Sequence, residues 1–193
     1  MADKPLEVFL RRIRINKAKK EIFRHKSRLS AKSRILDFGC GFNCAFLKSI
    51  KNEIKECYGI DPKVNEPYVD GIEVIREKFI DKLPFEDNFF DIITLLAVIE
   101  HIEEIETLLR ELYRILNKKG LLLITAPTDK SERILSVLAG LRLLNPEEIY
   151  DHKRHPLQNI IRNTIERCGF KILKVKFFEI SLNCFYVFEK PNS

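Results

Sequence analysis

The sequence predicts an α/β fold built on a mostly parallel sheet that ends in an antiparallel hairpin, and three observations predict it. From residue 34 to residue 127, short apolar runs alternate with segments of helical period, the pattern that successive βαβ units leave in a chain. Turns containing Gly or Pro separate those runs. The last two runs, FKILKVKFFEI and NCFYVFEK, are joined by only a short turn. Parallel neighbours need a crossover of about a dozen residues or more, so this pair is expected to be antiparallel. With 193 residues and 45% hydrophobic content, the chain supports one sizeable core, and a single folded domain is expected.

The elements follow in order. From Pro5 to about Arg28, Leu6, Phe9, Leu10, Ile13, Ile22 and Phe23 make a partial helical stripe that drifts near Asn16 and Lys17, predicting one or two helices packed lightly on the domain. RILDF (34–38) reads as a buried strand, and CAFLKSIKN (44–52) as the helix behind its turn. ECYGID (56–61), GIEVIRE (71–77), FFDIITLLAV (89–98) and GLLLITAP (120–127) are the next strands. Ile102, Ile105, Leu108, Leu109, Leu112, Ile115 and Leu116 recur at helical spacing before the stop at 117–120, the clearest helix in the chain. SERILSVLAGLRLL reads as helical, and a further helix starts at Pro156 and ends at Gly169.

Charge is unevenly placed. Residues 1–34 carry twelve Lys and Arg against three acidic residues, while the whole chain is +6. A basic arm (residues 1–30) is thereby set apart from a domain at 31–193. The arm suits RNA, an anionic lipid surface or an acidic substrate, or forms a lid whose charges stay in water while Phe9 and Ile13 cover a ligand. No apolar run approaches the roughly 18 to 20 residues of a membrane span, and the start lacks the pattern of a secretory leader. A cytoplasmic protein is expected. The five cysteines at positions 40, 44, 57, 168 and 184 are an odd set in apolar surroundings, which favours reduced, buried thiols and no metal site.

The segment ILDFGCGFNC (35–44) occupies the turn after the first strand, where an open α/β sheet places its ligand crevice. Gly39 and Gly41 allow a ligand close to the backbone, and Asp61 ends the second strand, placed to accept hydrogen bonds from both hydroxyls of a ribose. Asp37 decides what else binds. A pyrophosphate wants N–H groups and no nearby anion, whereas a carboxylate at this point favours an ammonium or sulfonium.

DFGCG, YGID, LPFEDNFFDIITLLAVIEHI and LYRILNKKGLLLITAP, taken together over residues 33–127, resemble the class I S-adenosylmethionine-dependent methyltransferases, and the LPF…FD…EH run resembles their small-molecule subgroup, type 11. The resemblance implies a Rossmann-like, doubly wound, seven-stranded sheet with its final strand antiparallel. It also implies S-adenosyl-L-methionine as cofactor. Carried over, it puts Asp37, Gly39 and Gly41 at the methionine end, Asp61 at the ribose, Phe79 and Ile80 beside adenine, and Leu96 with Ala97 at the sulfonium, with Phe38, Cys40 and Pro62 also among the cofactor-binding residues. Asn43 stands where a third glycine is usual and is expected to take a left-handed conformation.

Methyl transfer from a sulfonium asks chiefly for in-line positioning and exclusion of water, so a catalytic side chain is optional. His101, His152 and His155 are the candidate bases. The expected activity is methylation of a small-molecule, lipid-like or glycan acceptor. The alternatives are RNA methylation through the basic arm and a non-catalytic cofactor-binding protein.

Overall fold

The structure is a computed structural model that describes residues 5–30, 32–54, 56–79, 81–128 and 157–192. Its elements are α1 (Pro5–Arg24), β1 (Arg34–Phe38), α2 (Ala45–Ile50), β2 (Glu56–Ile60), β3 (Tyr68–Val69), β4 (Ile72–Ile75), β5 (Phe90–Leu96), α3 (Ile105–Ile115), β6 (Leu116–Pro127), α4 (Leu157–Arg167), β7 (Lys171–Phe178) and β8 (Asn183–Glu189). The strands form one sheet in the order β3-β4-β2-β1-β5-β6-β8-β7. β4, β2, β1, β5 and β6 are mutually parallel. β8 runs antiparallel to both of its neighbours. The expected hairpin and reversed last strand are therefore present. One strand more than expected appears, because two residues of the loop before β4 turn back and pair with it as β3. A two-residue strand has too few positions to show a period of two.

Alternation along the strands divides the core between the two faces. Ile35, Ile92, Leu121, Leu123, Phe185 and Val187 point to the face covered by α1 and α2. Leu36, Ile93, Leu95, Leu122, Ile124, Tyr186 and Phe188 point to the face covered by α3 and α4. β1 lies between β2 and β5, so chain connections leave it in opposite directions and open a crevice at the carboxyl ends of β1 and β5. The LPFEDN turn is held from α3: the Arg114 guanidinium donates to the carbonyls of Leu83 and Phe85 and to Asp87, while Glu111 accepts from the Leu83 N–H.

Three local expectations are corrected. The arm is one continuous helix, α1, followed by a single 3-10 turn at Lys26–Arg28, and it is not lightly packed. Ala18 and Ile22 are fully buried among α2 and sheet residues, Glu21 pairs with Lys174, and Lys19 donates to the Ser49 carbonyl. The stripe in the sequence drifts because full burial is confined to the second half of the helix, Ile13 and Ile15 being only partly buried against the core. The fifth long strand starts at Leu116, not Gly120, since Leu116 pairs with Phe90 ahead of a bulge. Asn43 does not take the left-handed conformation; Cys44 does, at φ 48°, while the Asn43 Oδ1 accepts from the Ala45 N–H at 3.3 Å and so offers a side-chain partner to the first helical N–H.

SERILSVLAGLRLL lies outside the described residues. Among the described residues no helix is long and apolar enough to cross a membrane. Since Ile22 is fully buried and Val8 is exposed, Ile22→Ala is expected to lower stability by about 2 to 5 kcal/mol and Val8→Ala by about 0.5 kcal/mol or less, read by urea denaturation.

Candidate functional site

The crevice is built from the carboxyl ends of β1, β2 and β5. Asp37 and Thr94 are cross-strand partners in the register of β1 and β5, so their side chains emerge side by side on the α1 and α2 face. The Thr94 hydroxyl donates to Asp37 Oδ1 at 2.6 Å. Asp37 is 3% exposed, and burial pushes its carboxyl up to about 7, opposed by the Thr94 hydrogen bond and aided by the nearby charge of Asp61. A carboxylate so placed favours the arrival of a cation.

The glycine loop is pinned at both ends. The N–H groups of Gly39 and Cys40 both donate to the Ile60 carbonyl, at 2.7 and 3.2 Å, and the Gly41 N–H donates to Asp61 Oδ2 at 2.8 Å. Asp61 Oδ1 accepts from the Lys63 N–H, also at 2.8 Å. Each carboxylate oxygen of Asp61 thus keeps a lone pair for a further donor. Gly39 has φ +80°, and a Cβ there would stand 2.3 Å from Val98 Cγ2. Only a bare Cα lets the loop rest on the turn after β5. Gly41 has φ +68° and open space where its Cβ would be.

The other residues named from the sequence fall around this loop with differing exposure. Phe38 is buried and meets the half-buried Phe79 edge-on, ring centroids 6.1 Å apart. Leu96 and Ala97 are half-buried, and the Ala97 N–H donates to both the carbonyl (3.2 Å) and the hydroxyl (2.9 Å) of Thr125, fixing the turn in a left-handed conformation at φ 60°. Pro62 is exposed. Cys40 points away from the crevice: its thiol lies where a Cβ on Gly59 would sit, 3.7 Å from the Cys44 sulfur. Its contribution to the crevice is backbone. Ile80, His152 and His155 lie outside the described residues.

His101 closes the 3-10 turn Ile99–His101 and is exposed. The residue before it was not singled out from the sequence, although it carries more chemistry. Glu100 is 8% exposed, and among the described residues nothing donates to its Oε2. Burial pushes its carboxyl up to about 7, with its own backbone N–H and the positive charge of Arg14 opposing. The one signal in the sequence was a carboxylate ending an otherwise apolar run, LLAVIE.

A mostly parallel sheet with a reversed last strand, a glycine loop on its first strand and two carboxylates flanking that loop define a class I S-adenosylmethionine-dependent methyltransferase. Residues 10–175 match the family described as methyltransferase domain, and the chain belongs to that family. It is 30% identical over 174 residues to a putative methyltransferase of Encephalitozoon cuniculi, covering 82% of this chain and 79% of that protein. It is 31% identical over 111 residues to the uncharacterized methyltransferase YcgJ of Bacillus subtilis. That match covers 51% of this chain and 44% of the relative's length. In fold it is similar to an S-adenosylmethionine-dependent methyltransferase of Archaeoglobus fulgidus, with a TM-score of 0.63 at 16% identity over 91% of this chain and 94% of that one. S-adenosylmethionine is the cofactor of the class.

The two glycines differ in a measurable way. Gly41→Ala is expected to cost about 1 to 2 kcal/mol from its left-handed conformation alone, and Gly39→Ala more, because the added methyl also meets Val98; chemical denaturation of the two variants checks the order. Asp37 and Glu100, with folded values raised to about 7 from 3.8 and 4.5, hold protons in the folded protein that the unfolded chain has released. Stability is therefore expected to fall as pH rises from about 4 to about 7, and Asp37→Asn to flatten that decline. Denaturation midpoints across this range measure it.

Proposed function

We propose that this chain transfers a methyl group to a small-molecule acceptor from S-adenosylmethionine held over the Gly39–Gly41 loop. The observation that carries the proposal is the pair of carboxylates flanking that loop, one fully enclosed and one with spare lone pairs. Asp37 would meet the ammonium of the methionine end, and Asp61 would accept from the ribose hydroxyls. The open side of Gly41 would admit the cofactor, and Phe38 with Phe79 would border adenine, with Ile80 following. Leu96 and Ala97 would line the sulfonium side. The residues present fit the group: a dinucleotide would set its pyrophosphate against the buried charge of Asp37, which is unfavourable.

When bound, the cofactor supplies an electrophilic methyl carbon. The chain's part is to bind, orient and exclude water. The turn that carries Ala97 and Val98 rests on Gly39 and is bonded to Thr125, so the floor of the acceptor side is rigid. α1 supplies a roof. It runs antiparallel to β7, with Glu21 at Lys174, Lys17 over the Phe178 ring and the charge of Arg14 at Glu179. Toward its start the helix is less buried than at Ala18 and Ile22, with Ile13 half-buried against the core. Phe9 is exposed there, placed to cover an acceptor.

A small acceptor is favoured over a polyanion because part of the arm's charge is engaged within the molecule. Arg24 and Lys174 meet Glu21, Arg28 meets Glu189, and Lys17 lies over Phe178. Titration calorimetry is expected to show binding of S-adenosylmethionine and its demethylated product and none of NADH. Asp61→Ala is expected to weaken binding by about 1.5 to 3 kcal/mol, the scale of a lost charged hydrogen bond. Unchanged affinity would remove Asp61 from the site, and preferred binding of NADH would overturn the reading.

A further inference from the structure

Two buried carboxylates in turns at the carboxyl edge of the sheet are left unused by the cofactor reading. Glu100 is more than nine-tenths buried in the turn directly after β5, and among the described residues its Oε2 has no hydrogen-bond partner. Glu179 sits in the turn between β7 and β8. Its Oε2 accepts from the Asn183 amide, and among the described residues its buried Oε1 has no partner. Both turns are tied to the end of β6. Ala97 bonds Thr125 as described, while the Thr128 N–H donates to the Leu182 carbonyl at 2.9 Å and the Thr128 hydroxyl to the Ser181 carbonyl at 2.7 Å. Arg14 of α1 acts on both carboxylates. The two acids therefore belong to one carboxyl edge beneath one helix.

A buried acceptor oxygen without a donor costs stability of roughly 1 to 3 kcal/mol or more when charged. Such a cost is ordinarily offset when a ligand supplies the missing donor. We infer that the acceptor is an amine or a hydroxyl compound whose N–H or O–H donates to Glu100 Oε2, so that the methyl goes to nitrogen or oxygen and not to carbon. The inference rests on the proposed cofactor site. In the step it describes, the acceptor heteroatom forms a bond to the methyl carbon, and the carbon–sulfur pair departs with sulfur as the neutral thioether of S-adenosylhomocysteine. The proton of the heteroatom passes to the Glu100 carboxylate. Glu179 Oε1 is placed to take a second donor of the same molecule, which makes it a positioning residue.

The choice of nucleophile follows from the chemistry of the walls. A carbon nucleophile gains nothing from a carboxylate unless it also carries an acidic hydrogen, whereas an amine or hydroxyl both fills the vacant lone pair and becomes a stronger nucleophile as its proton is drawn away. Arg14 serves this arrangement by favouring the ionised form of Glu100, the form able to accept the proton.

The test uses the full chain and separates the cofactor from the acceptor. Wild type, Glu100→Gln and Glu179→Gln are first titrated with S-adenosylhomocysteine; all three are expected to bind it within about twofold, which also shows that the variants fold. Failure of wild type to bind it would defeat the cofactor reading and this inference with it. The product-loaded proteins are then titrated with catechol, phenethylamine and 1,4-naphthoquinol, the last of which offers both oxygen and a ring carbon. At least one probe is expected to bind wild type and to lose about tenfold or more in affinity in Glu100→Gln, the equivalent of a charged hydrogen bond. With methyl-labelled S-adenosylmethionine, the carbon resonance of the product is expected to place the label on nitrogen or oxygen, with the rate falling by about a hundredfold or more in Glu100→Gln. No binding of any probe, equal binding to Glu100→Gln, or label on a ring carbon would overturn the inference.

Discussion

The site depends on a carboxylate buried at the middle of the sheet. Asp37 sits on the central strand between β2 and β5, where the Thr94 hydroxyl donates to its side chain. Taking a carboxylate out of water without a cation is unfavourable, and the carboxyl responds by holding its proton to about 7. Its neighbours limit any rearrangement. The strand before it is part of a five-stranded parallel ladder, and the glycine loop after it is fixed to the carbonyl of Ile60 and to Asp61. Above about pH 7, where the proton is lost, a cation arriving in the crevice would relieve it.

The same rigidity transmits to the acceptor side. Gly39 lies against Val98 with no room for a methyl, so the loop under the cofactor and the turn that carries Glu100 form one packed unit. A side chain at position 39 would separate them. Proximity and alignment supply much of the acceleration in a displacement at methyl carbon, and in the proposed site this contact would set how far the acceptor wall stands from the loop. α1 is anchored beside this unit, with Ala18 and Ile22 fully buried and Ile13 and Ile15 packed on the core, and in the proposed site it would complete the enclosure.

The central strands were legible in the sequence because parallel strands buried on both faces read as largely apolar runs, and RILDF, ECYGID and FFDIITLLAV are such runs. Asp37 and Asp61 stood out as charges ending those runs, and the structure brings both to the glycine loop. Other features depend on tertiary context. Glu100 and His101 are adjacent, yet one is buried and the other exposed. A three-residue 3-10 turn decides which faces inward, and no periodicity announces it. The exchange between Asn43 and Cys44 has a similar origin, since the asparagine side chain found a partner in the Ala45 N–H and left the left-handed position to its neighbour. Burial of α1 was obscured because half of its apolar residues pack and half do not.

The central role given to Asp37 is most directly tested by counting protons. At about pH 6 a carboxyl titrating near 7 is mostly protonated, and a cation bound against it displaces the proton. Calorimetric titration of S-adenosylmethionine into wild type, repeated in two buffers of different ionisation enthalpy, is expected to show net release approaching one proton, and Asp37→Asn is expected to show markedly less. Binding to wild type with the same heat in both buffers would contradict a cation at Asp37.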